Sequence, residues 1–165
     1  MTHRFDELFS ETWIGSHPTS EHNRYMIIRY DFSAMVMADS MEGLARNFND
    51  LNCGPVEVMV EHNRDLFGNF QFTNRGEASK MLEEALTYIR SHGLPKVYIL
   101  IDEYDNFTNT ILSTYGTDLY RKATHGEGYI RRFFNVIKAA TTGMGSAVNR
   151  LFITGVSPVT MDDVT

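Results

Sequence analysis

The sequence predicts an α/β fold: a three-layer arrangement of a parallel sheet with helices on both faces. Two observations carry that expectation. Short β-branched and aromatic runs alternate with longer stretches of helical periodicity, in the order strand, helix, helix, strand, helix, strand. Such alternation implies parallel strands joined by helical crossovers. The strand candidates are also almost continuously apolar, which suits a sheet covered on both sides. At 165 residues the chain reads as one domain, 1–165.

The elements follow in order. Residues 1–24 read as irregular or weakly helical. Phe5, Leu8, Phe9, Trp13 and Ile14 recur at roughly helical spacing until Gly15 and Pro18 intervene, so this stretch is expected to pack against something. Tyr25–Phe32 (YMIIRYDF) reads as the first strand. Asp39, with Glu42 three residues on, makes a capping box. Met41, Leu44, Phe48 and Leu51 then form one stripe, and Cys53-Gly54-Pro55 is expected to end the helix. Val56–Phe72 stays ambiguous. VEVMV alternates like a strand, its setting suggests a short helix, and Asn63, Gly68 and Asn69 suggest a loop.

Asn74 and Glu77 form a second capping box for a helix over 75–91. Its stripe is Ala78, Met81, Leu82, Ala85, Leu86 and Ile89. Gly93 supplies a left-handed stop and Pro95 prevents resumption. Val97–Ile101 is the second strand, and Phe107, Ile111 and Leu112 suggest a short helix after it. Tyr115–Gly128 reads as a polar connector of a length at which function or mobility is expected. Gly128 opens the last helix. Ile130, Phe133, Phe134, Ile137 and Ala140 line one face of it, with Arg131, Arg132 and Lys138 mostly off that face. Thr141–Asn149 reads as a small-residue turn, Leu151–Val156 as the third strand and Pro158 as its end.

Composition narrows the function classes. The net charge of -6 argues against a general nucleic-acid or anionic-membrane surface. Cys53 is alone, which excludes an intrachain disulfide and a multi-cysteine metal site and suits a reducing interior. No run of 18 apolar residues suggests a membrane span, and the polar N-terminus carries no secretory pattern, so the expected location is the cytoplasm. The six histidines lack ligand spacing, and Glu61-His62 is not part of an HExxH helix.

The chemistry concentrates in VYILIDEYD, Val97–Asp105. A buried strand runs into carboxylates at its end. In open α/β sheets ligands sit at the carboxyl ends of strands. Three such ends carry polar groups: Asp31-Phe32-Ser33, Asp102-Glu103 and Thr154-Gly155. If the strands are parallel, these share one rim. Nucleotide hydrolases need one carboxylate for Mg²⁺ and a residue that orients the attacking nucleophile. Asp102 suits the metal and Glu103 the water. Thr154 suits a γ-phosphate or that water, and Arg131 is a candidate phosphate contact. The same carboxylates also suit a cap on the next helix or a pair with Arg121 or Arg131, and the residues alone leave both readings open. The phosphate loop GxxxxGK[ST] does not occur in the 165 residues.

Several blocks resemble a known family. VYILIDEYDNF at 97–107, GEGYIRRFFNVIKAATTG at 126–143 and RLFITGVSPVTMDDVT at 150–165 are similar to the AAA-ATPase-like family of bacterial P-loop NTPases. FDELFSETWIGSHPTSEHNRYMIIRYDFS at 5–33 resembles the section that follows the family's phosphate loop. The resemblance implies a P-loop NTPase-like sheet that is incomplete here, without its first strand and phosphate loop. It implies a Walker B pair at Asp102 and Glu103, a sensor-like Thr154, and ATP with Mg²⁺ for the intact domain. It further implies a restriction-endonuclease-like nuclease domain in a longer protein. A chain without the phosphate grip is expected to bind nucleotide weakly and to self-associate through an exposed sheet edge. The alternative is a non-catalytic scaffold or interaction module built on a degenerate core.

Overall fold

A computed structural model of the chain describes residues 3–156. Two short helices, α1 (His3–Phe9) and α2 (Trp13–Ser16), lead into strand β1 (Met26–Asp31) and a single 3₁₀ turn, Phe32–Ala34. Helices α3 (Met41–His62), α4 (Arg64–Phe67) and α5 (Ala78–Ser91) connect β1 to β2 (Val97–Asp102). Helices α6 (Asn106–Tyr115), α7 (Thr117–Thr124) and α8 (Tyr129–Thr141) connect β2 to β3 (Val148–Ile153).

The three strands form one sheet in the order β1-β2-β3, and both pairings are parallel. Met26 lies opposite Val97 and Asp31 opposite Asp102, so β1 and β2 end level. The β2–β3 register slips once, between Val97 and Tyr98, after which Ile101 faces Ile153.

Both crossovers step the same way across the sheet. Right-handed crossovers in one direction bring their helices to one face. That face is dry: Met26, Ile28 and Tyr30 of β1 and Val97, Ile99 and Ile101 of β2 are buried with residues of α3, α5 and α8 in one core. Aromatic rings fill its centre. Phe133 meets Tyr30 edge-on at 5.1 Å and Phe48 at 5.4 Å, a geometry the ring quadrupole favours.

Cover on the other face is thinner. The N-terminal segment reaches it through Glu21, whose carboxylate bonds the Tyr25 hydroxyl and lies 3.4 Å from Arg150. Tyr25 in turn packs edge-on against Tyr98. Ile27 stays 49% exposed and Phe152 55%. Phe5 packs on Phe9 and on His22. Leu8, Phe9 and Trp13 nevertheless remain exposed, so the expected burial of this stretch is not met among the described residues.

The α5 stripe is as expected, with all six residues buried. Elsewhere boundaries move. Pro55 does not end a helix: α3 continues to His62, because Val56, Met59 and Val60 extend the Leu44–Phe48 stripe into the core. Burial of three large side chains outweighs the roughly 3 kcal/mol that an interior proline costs. That same continuation resolves the ambiguous 56–62 segment as helix. Ser40, not Asp39, caps α3, its hydroxyl accepting from Gly43 N–H at 3.1 Å. Asn74 does not cap α5. Its amide is tied to Glu84, and α5 starts at Ala78, whose N–H donates to Asn49 Oδ1 of α3 at 3.0 Å. The connector 115–128 contains a helix, α7, because Tyr120, Ala123 and Thr124 bury one face of a single pair of turns. Strand β3 begins at Val148 rather than Leu151. Its Asn149 and Arg150 lie on an edge strand and stay exposed, which hides them from an apolar search. Pro158 lies outside the described residues.

Candidate functional site

Parallel pairing brings the three polar strand ends together. Asp31 and Asp102 are register partners, so their side chains leave adjacent strands on the same face. Thr154 follows β3 directly. Its N–H donates to Ile101 O at 2.8 Å, and its hydroxyl donates to Asp102 Oδ1. Asp31, Asp102 and Thr154 therefore stand on one rim, as the sequence predicted.

Glu103 leaves the strand abruptly. It is exposed, and its φ of 50° lies in the left-handed region. For a residue with a Cβ that conformation costs on the order of 1–2 kcal/mol. Strain of this kind is characteristic of functional turns. The turn is held by backbone: Asn106 N–H donates to Glu103 O at 3.0 Å, and Tyr104 N–H donates to Thr154 O at 3.1 Å.

Sequence reading left Asp105 among the candidates for a structural role, and the structure gives it one. It is buried, and its carboxylate accepts from Val156 N–H at 3.1 and 3.2 Å and from Asn109 Nδ2 at 3.3 Å. Gly155 lies against Tyr104 and Asp105, where an added methyl carbon would come within 2.6 Å of Asp105 Oδ1. The DEYD and TGV segments thus interlock: Thr154 on Asp102, Val156 on Asp105, Gly155 against Tyr104. Capping of the next helix is not Asp105's task, since its side chain makes no cap bond to α6.

The ion-pair alternative finds a different partner at Asp102. Asp102 pairs with Arg29, Nη2 to Oδ2 at 3.9 Å, and not with Arg121 or Arg131. Arg131 sits half-buried in the first turn of α8. Among the described residues no hydrogen bond or ion pair joins it to the rim. Arg29 was overlooked in the sequence. The available signal was parity, since Arg29 lies two residues before Asp31 and so shares its face of β1.

The Ser33 hydroxyl at 2.6 Å and its N–H at 3.0 Å hold the Asp31 carboxyl below the usual carboxylate range, with Arg29 adding a smaller pull. Burial pushes the Tyr30 and Tyr129 phenols up, and among the described residues neither buried hydroxyl has a partner. Burial also raises the Cys53 thiol to about 11, which leaves it unreactive at neutral pH.

The rim suits a hard cation in part. Among the described residues no cluster of three or more His, Cys, Asp or Glu side chains could hold a metal by itself. Mg²⁺ seldom uses such a cage and is bound through one or two carboxylates with phosphates and water. Asp31 and Asp102 supply such oxygens side by side. A cleft of about 400 Å³ lies elsewhere, between α5 and α8, lined by Leu86, Arg90, Val136 and Met144, and no rim residue borders it. No helix among the described residues is long and apolar enough to cross a membrane.

The comparisons with known proteins accord with this geometry. A family model described as predicted AAA-ATPase matches residues 1–165. No curated protein and no solved structure matches the chain significantly. The match spans every residue given, and a helix-flanked parallel sheet with carboxylates at its carboxyl rim is consistent with a P-loop NTPase-like fold. On that match the chain belongs to the AAA-ATPase-like family.

Proposed function

We propose that the rim is the metal and nucleotide edge of an ATP-hydrolysing domain. Asp102 is assigned to the Mg²⁺ side of bound ATP, with Asp31 beside it. Glu103 orients the attacking water. Thr154 holds Asp102 in position by donating its hydroxyl proton to it, and its hydroxyl oxygen is left to accept from the attacking water. Arg131 is assigned a phosphate contact from the first turn of α8. When bound, Mg²⁺ neutralises charge on the β- and γ-phosphate oxygens. The observation that carries the reading is the pairing of Asp31 with Asp102 at level strand ends, with Thr154 bonded to Asp102.

A triphosphate also needs backbone N–H donors and a lysine or arginine. The 165 residues contain no GxxxxGK[ST]. ATP affinity of this chain alone is therefore set near the millimolar range, about -4 kcal/mol. Calorimetric titration with ATP, with and without Mg²⁺, tests this. Weak binding that Mg²⁺ strengthens in the wild type but not in Asp102→Asn is the expected result. Micromolar binding that ignores Asp102→Asn would overturn it. Where a phosphate loop completes the domain, Glu103→Gln should keep ATP bound and stop turnover.

One observation favours a second reading, that of a scaffold or interaction module. Ile27, Leu151 and Phe152 leave apolar surface exposed on the sheet and its β3 edge. Exposed strand edges promote association. Sedimentation at high concentration separates the readings, since a stable monodisperse monomer counts against self-association through the sheet.

A further inference from the structure

We propose that Arg29 is the resident cation of the rim: its guanidinium holds the Asp31–Asp102 side of the sheet until a divalent metal displaces it. This inference rests on the assignment of Asp102 to the metal side of the site.

The argument starts from parity. Along β1 Ile27 and Arg29 are exposed and Asp31 half-buried on one face, while Met26, Ile28 and Tyr30 are buried on the other. Arg29 therefore shares a face with Asp31, and through the register with Asp102. Like charges placed directly opposite on neighbouring strands repel. Arg29 is the compensating charge, diagonal to Asp102 and two residues from Asp31. Asp102 divides its oxygens: Oδ1 accepts from Thr154, and Oδ2 faces Arg29 Nη2 at 3.9 Å.

Thr154 and Arg29 differ in how they can leave. Thr154 is fixed by its backbone bond to β2. The Arg29 side chain is 66% exposed and that of Asp102 48%, so Arg29 can swing into water at little cost. An exposed pair of this length is weak. A doubly charged ion competes with it well, while Thr154 keeps the carboxylate oriented. Arg29 is thus a positioning residue that acts on metal entry through Asp102. Its removal should strengthen metal binding, the reverse of what losing a merely structural ion pair does.

Mn²⁺ serves as the probe, with free ion measured by electron paramagnetic resonance on the full chain. The proteins compared are wild type, Arg29→Ala, Arg29→Gln, Arg29→Lys, Asp102→Asn and the Arg29→Gln/Asp102→Asn double variant. Removal of one charge at this distance should tighten Mn²⁺ binding about threefold to tenfold in Arg29→Ala and Arg29→Gln. Arg29→Gln keeps most of the stem and carries the test alone should the alanine variant not fold. Arg29→Lys should stay within about twofold of wild type, because it restores the charge. Asp102→Asn should weaken binding, and the double variant should match it. If Asp102→Asn weakens binding but neither neutral Arg29 variant tightens it, the proposal fails while the site assignment stands. If Asp102→Asn leaves binding unchanged, the site assignment fails and the proposal with it.

Discussion

Replacing Gly155 with alanine tests the interlock of the two site segments. A Cβ at this position would lie 2.5 Å from Tyr104 Cδ1 and 2.6 Å from Asp105 Oδ1. Ordinary contact begins about 1 Å further out. Neither neighbour has room to retreat, since Tyr104 is 8% exposed and Asp105 2%. Overpacking of this kind costs roughly 1–3 kcal/mol. Relief by moving residues 154–156 would break the bifurcated bond from Val156 N–H to the buried Asp105 carboxylate, a hydrogen bond to a charged group contributing about 1.5–3 kcal/mol. One displacement produces both effects, so they do not add fully, and a loss of about 3 kcal/mol is expected. Urea unfolding should register it as a midpoint lowered by roughly 1–2 M. Gly54 is the control. It lies inside α3 with nothing beyond its chain neighbours within 4 Å of an added Cβ; the helix propensity gained by alanine is offset by the clash of a Cβ with the ring of Pro55, so Gly54→Ala should change stability by less than about 1 kcal/mol. A Gly155→Ala midpoint equal to wild type would refute the interlock.

Further outcomes follow from single contacts. Tyr30→Phe deletes a buried hydroxyl with no partner and should stabilise the fold by about 1 kcal/mol in thermal or urea unfolding; a clear loss would mean the hydroxyl is satisfied. Asn49→Ala removes the acceptor for Ala78 N–H at the start of α5 and should cost about 1 kcal/mol by urea unfolding, whereas no change would refute the cap. The Asp31 carboxyl is depressed by Ser33, so its contribution to stability is fully present above the ordinary carboxylate range and is lost as pH falls through the folded value. In Ser33→Ala the Asp31 titration followed by NMR should move up and the acid side of the stability curve should flatten; a superimposable titration would refute the cause.

Where the sequence was legible, one physical signal dominated. In α5 six apolar residues at helical spacing are buried, with Ser79 the one polar residue among them. In β2 the run into Asp102 is buried on alternate residues at the centre of the sheet, so it reads as a strand. Misreadings arise where tertiary contact overrules a local cue. Pro55 is a breaker by itself, yet Val56, Met59 and Val60 draw the chain on as helix. Helix α7 buries only Tyr120, Ala123 and Thr124 in eight residues, too little to register as periodicity. The cap on α5 comes from Asn49, far away in sequence, where no local pattern could reveal it. At the site, Asp31, Asp102 and Thr154 were visible as polar strand ends. Arg29 and Gly155 matter through partners on other strands, and only the register exposes them.

The direction of the two crossovers ties these results together. Because both step the same way, the large helices gather on one face and every inward side chain of β1 and β2 enters a single core. The opposite face is left thinly covered, and Arg29, Asp31 and Asp102 all belong to it. Charged groups can stand there because water reaches them; in the core the same three would each need a partner. The fold therefore divides its labour by strand parity. Substitutions at Ile28, Tyr30, Ile99 or Ile101 act on stability, and on the proposed function those at Arg29, Asp31 or Asp102 are expected to act chiefly on ions and ligands, with little change in the core. Thr154 and Asp105 are the exception, since they join the two functions: each fixes the β3 end to the β2 turn while shaping the rim. On the proposed function, damage there should cost stability and metal binding together.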